Sequence, residues 1–108
     1  MTDVLNLIDG RLQPAVGGAW LENVEPATGA TSGRIADSGP EDVALAVAAA
    51  QRAFPAWSAL SNEARGRHLR RLSEAIEREL LPLSDAESDD TGKPVSLARK
   101  VDIPRAAS

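Results

Sequence analysis

A chain of 108 residues has room for one domain, and its net charge of −4 argues against a general binder of nucleic acid or anionic membrane. With no cysteine and a single histidine, it can hold neither a disulfide, a thiol nucleophile nor a Cys/His metal cage. The 43% hydrophobic content includes only 3% aromatic residues, so large core anchors are scarce and the chain by itself is expected to be marginally stable. Met1-Thr2-Asp3-Val4 carries no basic leader region, and no apolar run approaches the roughly 18 residues that span a bilayer, so the expected location is cytoplasmic. Residues 4–8 form a short β-leaning run. Asp9-Gly10 is a tight-turn pair, and Arg11-Leu12-Gln13 returns as a second strand until Pro14 ends it. Gly17-Gly18 breaks the chain again, residues 19–24 read as a third strand, Pro26-Ala27-Thr28-Gly29 as a turn, and residues 32–36 as a fourth strand weakened by Gly33.

The helical signals start at Ser38. Ser38-Gly39-Pro40-Glu41 offers a capping hydroxyl, a proline for the first turn and a glutamate that reaches back. Val43, Val47, Ala50 and Phe54 recur on one helical face, and Pro55 is expected to stop the helix at an apolar corner, Phe54-Pro55-Ala56-Trp57. A second helix starts near Ser61 with Leu69, Leu72, Ile76 and Leu80 on one stripe and charged residues over most of the rest. A further segment starts around Leu81 and ends at Gly92. Pro94 opens residues 95–100, and Asp102 with Pro104 announces another helix, capped by Asp102. The expected fold class is α+β: an antiparallel β-hairpin and meander over residues 1–37, then three to four helices over residues 38–108. Both apolar stripes need covering, and two helices cannot cover each other completely. A last helix that begins and is cut off at Ser108 reads as the edge of a fragment.

No stretch assembles a nucleophile, a base and an oxyanion donor. Thr91-Gly92-Lys93-Pro94 is not a phosphate loop, because position 87 is Glu rather than Gly and position 94 is Pro rather than Ser or Thr; it reads as a helix-ending turn. Glu63 with Arg67 and Glu74 with Arg78 stand four apart, so the arginines of the second helix are expected to form a solvated, ion-paired face. His68 sits among Arg65, Arg67, Arg70 and Arg71 with no carboxylate or serine placed beside it. Asp85, Glu87, Asp89 and Asp90 read as solvated carboxylates rather than metal ligands, and Trp20 and Trp57 as packing anchors.

Five short motifs, taken in order, resemble the N-terminal segment of NAD(P)-dependent aldehyde dehydrogenases. Asn6-Leu7-Ile8-Asp9-Gly10 looks like the family's opening hairpin. Glu25-Pro26-Ala27-Thr28-Gly29 resembles its Asn-Pro-Ala-Thr-Gly turn, with Glu25 where Asn is usual. Residues 41–50 with Ala53-Phe54-Pro55-Ala56-Trp57 are similar to its first helix and corner. Glu63-Ala64-Arg65 with Leu69 and Leu72 is like its second helix, although the family more often has Arg directly after Glu. Asp90-Thr91-Gly92-Lys93-Pro94 matches a further landmark. The tail, Ser96-Leu97-Ala98 with Asp102-Ile103-Pro104-Arg105, looks closest to the branch acting on hydroxymuconic or aminomuconic semialdehydes.

The resemblance implies part of the cofactor-binding domain of a much longer, homo-oligomeric oxidoreductase. That enzyme would oxidise an aldehyde to a carboxylate with NAD or NADP through a cysteine thiolate, a glutamate-activated water and an oxyanion-stabilising asparagine. None of those residues, and no dinucleotide-binding motif, maps onto this chain. The 108 residues alone are expected to bind no cofactor and to be inactive. The resemblance also implies a monovalent-cation site using the carbonyls of Asn23 and Val24 with Asp90. The alternative reading is a small helical interaction module, without enzymatic activity, that binds a partner or itself through its uncovered stripes.

Overall fold

The computed structural model describes residues 2–108. Contacts divide them into two units: residues up to Val24 with Thr31–Ala59, and Glu25–Ala30 with Leu60–Ser108.

In the first unit the β-leaning run divides at Leu5. β1 (Thr2–Val4) lies parallel to β5 (Thr31–Ala36), with Thr2 opposite Gly33, while β4 (Trp20–Val24) pairs antiparallel with the other edge of β5. β2 (Asn6–Ile8) and β3 (Arg11–Gln13) form the expected hairpin, turned by Asp9 and Gly10 at positive φ. To the antiparallel pairings read from the sequence, the fold thus adds one parallel pairing. Gly33, which looked like a weakness in the fourth strand, makes that pairing possible: a Cβ there would collide with the Thr2 carbonyl. Arg34 knits one sheet face. Its guanidinium lies 4.2 Å from the centroid of the Trp20 ring and meets the Asp3 carboxylate at 2.8 and 2.9 Å.

α1 (Pro40–Ala59) closes this unit. The capping groups differ from the sequence reading. Ser38 exchanges hydrogen bonds with the Asn6 side chain, and the residue that reaches back is Asp42, not Glu41: its Oδ2 accepts from the Gly39 amide at 2.9 Å. The helix also runs through Pro55 rather than stopping there. The proline removes the amide that would reach the Gln51 carbonyl. Gln51 lies on an exposed turn where water satisfies that oxygen, and the alanines around Pro55 favour resuming the helix. The corner falls instead at Leu60-Ser61.

The second unit is helical. α2 (Asn62–Arg78) is capped by Ser61, whose Oγ accepts from the Ala64 amide at 3.2 Å. α3 (Leu80–Thr91) ends at Gly92, in the left-handed region with φ 75. α4 (Val95–Leu97), a π-helical turn (Ala98–Asp102) and α5 (Ile103–Ala107) then form one continuous run. Asp102 therefore does not cap a new helix; it is helical itself and makes no side-chain cap. The Ile103 amide bonds to the Ala98 carbonyl, five residues back. That wider turn lets Pro104, which has no amide for the Lys100 carbonyl, follow without breaking the run.

The buried apolar side chains among the described residues are all alanines: Ala15, Ala36, Ala49, Ala98 and Ala107. The larger ones face out. In α1 the buried line runs through Asp42 and Ala49, so the predicted face of Val43, Val47 and Phe54 is exposed, Phe54 by 64%. Leu69 and Leu72 of α2 are 60% and 58% exposed. Trp57 is exposed rather than a packing anchor, whereas Trp20 is half-buried beside Arg34. Both stripes foreseen from periodicity exist, and neither is fully covered.

Candidate functional site

Two of the sequence landmarks meet in the second unit. The turn of Glu25–Ala30 is closed by the Gly29 amide on the Glu25 carbonyl (2.8 Å) and the Glu25 amide on the Ala30 carbonyl (2.9 Å), and Thr28 Oγ1 donates to Glu25 Oε2 at 2.9 Å. Glu25, standing where the related turn has Asn, still supplies a side-chain acceptor. Pro26 of this turn packs on Gly92 so closely that a Cβ on Gly92 would lie 3.1 Å from Pro26 Cγ.

The Thr91-Gly92-Lys93 turn is held from within. The Gly92 amide bonds to the Ser88 carbonyl at 2.9 Å, Ser88 Oγ donates to the Lys93 carbonyl at 2.6 Å, and Thr91 Oγ1 donates to the Glu87 carbonyl at 2.7 Å. Lys93 Nζ contacts Asp102 Oδ2 at 2.6 Å and Glu87 Oε1 at 3.9 Å. The hydrogen bond from Lys93 to Asp102, reinforced by the charges of Asp102 and Glu87, raises the lysine above its ordinary pKa despite partial desolvation. A lysine committed in this way is not a phosphate clamp, and the turn is the helix stop that its sequence suggested. Arg99 pairs with Asp85 at 3.1 Å, so two residues of the acidic cluster neutralise cations of the chain itself.

Ser84, wholly buried, donates to the Leu80 carbonyl at 2.6 Å. Ser84, Ser88 and Thr91 are all spent on backbone carbonyls, and none has a general base at hand. Among the described residues no group of three His, Cys, Asp or Glu side chains could hold a metal ion. Asn23 and Val24, at an irregularity in β4, belong to the first unit, and Asp90, in the last turn of α3, to the second. The Asn23 carbonyl accepts a hydrogen bond from Ser32 Oγ at 3.1 Å. No metal chemistry is built on these three residues.

The expected ion pairs of α2 do not form: Glu63–Arg67 and Glu74–Arg78 are absent from the ion pairs among the described residues. Such pairs contribute only about 0.2–0.5 kcal/mol on an exposed helix, and solvation of the separate charges competes well. Arg65 instead donates to the Leu60 carbonyl at 2.7 Å and to Asn62 Oδ1, reinforcing the corner.

The stripe of α2 meets α5. Leu69, Leu72, Ser73 and Ile76 line an open groove of about 370 Å³ whose other wall is Ala106, Ala107 and Ser108. Ser73 Oγ donates to the Ala107 carbonyl and ties the walls together. A smaller hollow of about 220 Å³ continues along the stripe between Leu80, Ile103 and Pro104. Only the floor is covered, by small side chains.

Comparison with known proteins agrees with this reading. The profile of the aldehyde dehydrogenase family matches residues 14–108. The 2-aminomuconic semialdehyde dehydrogenase of Bos taurus is 42% identical over 101 residues, covering 94% of this chain and 20% of that protein. The betaine aldehyde dehydrogenase of Sinorhizobium fredii is 41% identical over 90 residues, 83% of this chain and 18% of that protein. The crystal structure of PnpE from Pseudomonas sp. WBC-3 matches with a TM-score of 0.94 and 45% identity over 98% of this chain and 22% of that one. PnpE in complex with nicotinamide adenine dinucleotide matches at 0.93 and 47%, over 99% and 22%. The chain spans about a fifth of the length of the curated relatives it matches.

Proposed function

This chain belongs to the aldehyde dehydrogenase family, and we propose that it serves as the N-terminal segment of an NAD(P)-dependent enzyme of the semialdehyde branch. The complete enzyme would oxidise an aldehyde, a muconic semialdehyde by the likeness of the tail, to its carboxylate in the cytoplasm as a homo-oligomer. This segment's part is structural. Its glycine turns, ion pairs and capped helices shape a scaffold whose apolar stripes lie against the rest of the subunit. The thiolate, the water-activating carboxylate and the cofactor-binding strands come from other residues, so the 108 residues alone turn over nothing.

One observation carries this reading: only alanines are buried among the apolar side chains, while the valines, leucines and phenylalanine of the two main helices face outward. Burying a large aliphatic side chain contributes about 1.5–3 kcal/mol, and most of that contribution is unrealised here. The test is a chimera in which these residues replace the matching segment of PnpE, assayed for NADH formation with an aldehyde that PnpE oxidises. The expected result is a soluble, active chimera and no NADH above a buffer control from the 108 residues alone. A chimera that folds but is inactive, or turnover by the chain alone, would overturn the reading.

The same exposed faces favour one second reading, an interaction module that pairs with itself or a partner. A concentration-independent monomer with a sharp, cooperative melt in light scattering and calorimetry would favour that module over a segment of a larger fold.

A further inference from the structure

We infer that the groove between α2 and α5 is a docking surface through which this chain, as a separate polypeptide, binds non-covalently to the remainder of an aldehyde dehydrogenase subunit. The inference rests on the family reading and goes beyond it, because it asks for association without a peptide link.

Three observations lead to it. The groove is apolar along Leu69, Leu72 and Ile76, and its floor holds only alanine, so its leucines are left to water. Its walls are already joined by Ser73 and Ala107. The backbone also superposes on PnpE with a TM-score of 0.94 while amounting to 22% of that chain. The conformation seen in the longer protein is therefore reached without the other four-fifths, and docking needs little reordering, which is the condition under which an apolar groove binds well.

The rim says what the docking element carries. Arg70 lines the groove, and its guanidinium makes no ion pair among the described residues. The element that fits is an apolar helix or strand with a carboxylate beside its apolar face. Free docking also has to do without the high effective concentration that a covalent link supplies, so it requires a partner that lacks its own copy of the segment.

The experiment is co-expression of the 108-residue chain with affinity-tagged PnpE from which the matching residues have been removed. The expected result is retention of the chain at a one-to-one ratio. Leu72→Glu should lower retention at least tenfold with unchanged helicity of the free chain, because Leu72 already faces water, and Arg70→Glu should lower it several-fold. No retention of the unaltered chain, including recovery of the tagged remainder only as insoluble material, overturns the inference, as does retention indifferent to both substitutions. Should Leu72→Glu lose helicity, Arg70→Glu decides alone. An active chimera without retention removes the docking surface and leaves the family reading standing. Retention without NADH formation in either arrangement does the reverse.

Discussion

The Asp42 carboxylate accepts the Val16 amide at 2.9 Å through Oδ1, across 26 residues of sequence, and the Gly39 amide at 2.9 Å through Oδ2. At 4% exposure it is the most buried charged side chain described, and it both starts α1 and pins the loop after the β2–β3 hairpin to that helix. Asp42→Ala leaves both amides without their acceptor, and the expected cost is about 1–3 kcal/mol for each group that water cannot reach. Asp42→Asn preserves the shape but keeps one acceptor oxygen, so its loss should be smaller. Urea unfolding followed by circular dichroism should rank the midpoints wild type, Asn, Ala. Equal midpoints would show that solvent replaces the carboxylate.

Gly92 and Gly29 separate two costs that usually come together. Both sit at positive φ, 75 and 74, where an alanine costs about 1–2 kcal/mol. Only at Gly92 would the new methyl also press on a neighbour, Pro26 at 3.1 Å; at Gly29 the space is open. Gly92→Ala should therefore destabilise the chain more than Gly29→Ala in the same urea titration. Matching losses would mean that the turn of Glu25–Ala30 yields freely and is not seated on α3.

The ion pairs give opposite pH signatures. The hydrogen bond from Arg34 depresses the Asp3 pKa below its ordinary 3.8, outweighing a little desolvation, so this contribution is present above that value and lost as the pH falls through the folded pKa. Lys93 is raised above its ordinary 10.5 by its bond to Asp102, so its contribution is complete below that value and disappears as the pH rises through the folded pKa. Melting temperatures of Lys93→Met and wild type should accordingly differ at neutral pH and converge at strongly alkaline pH. A constant gap would assign the lysine's role to packing of its stem. Asp3→Asn should converge with wild type at the acid end instead.

Leu72 distinguishes a finished surface from an unfinished one. In the free chain it is 58% exposed, so Leu72→Ala should change stability by no more than about 0.5 kcal/mol. Within the PnpE chimera the same substitution should cost about 2–5 kcal/mol, the range for a leucine truncated in a closed core. Thermal melts of the four proteins decide this, and a small effect in both settings would mean that the stripe stays wet in the complete enzyme.

Local chemistry was legible wherever a residue acts on its neighbours. Asp9-Gly10 turned the hairpin, Ser61 capped α2 and Gly92 stopped α3, each through a backbone conformation or hydrogen bond spanning a few residues. What could not be read were the long-range partners. Nothing near Asp42 names Val16, and nothing in residues 2–4 announces a parallel partner in β5. Pro55 and Pro104 misled in the same manner. A proline's cost is local, but whether a helix survives it depends on solvent at Gln51 in one case and on the widened turn at Ala98–Asp102 in the other.

By itself, the sequence determined the kind of chain this is. The order of short motifs marked its family, and the lack of cysteine with the spacing of apolar residues marked a scaffold with two uncovered stripes. Only the tertiary structure decided which groups are spent and which remain available. Lys93 is committed to Asp102, Ser84 and Ser88 to backbone carbonyls, and the leucines of α2 to nothing but water along an open groove. The reason is physical: periodicity says which side chains share a face, whereas their covering depends on what the rest of the fold brings within a few ångströms.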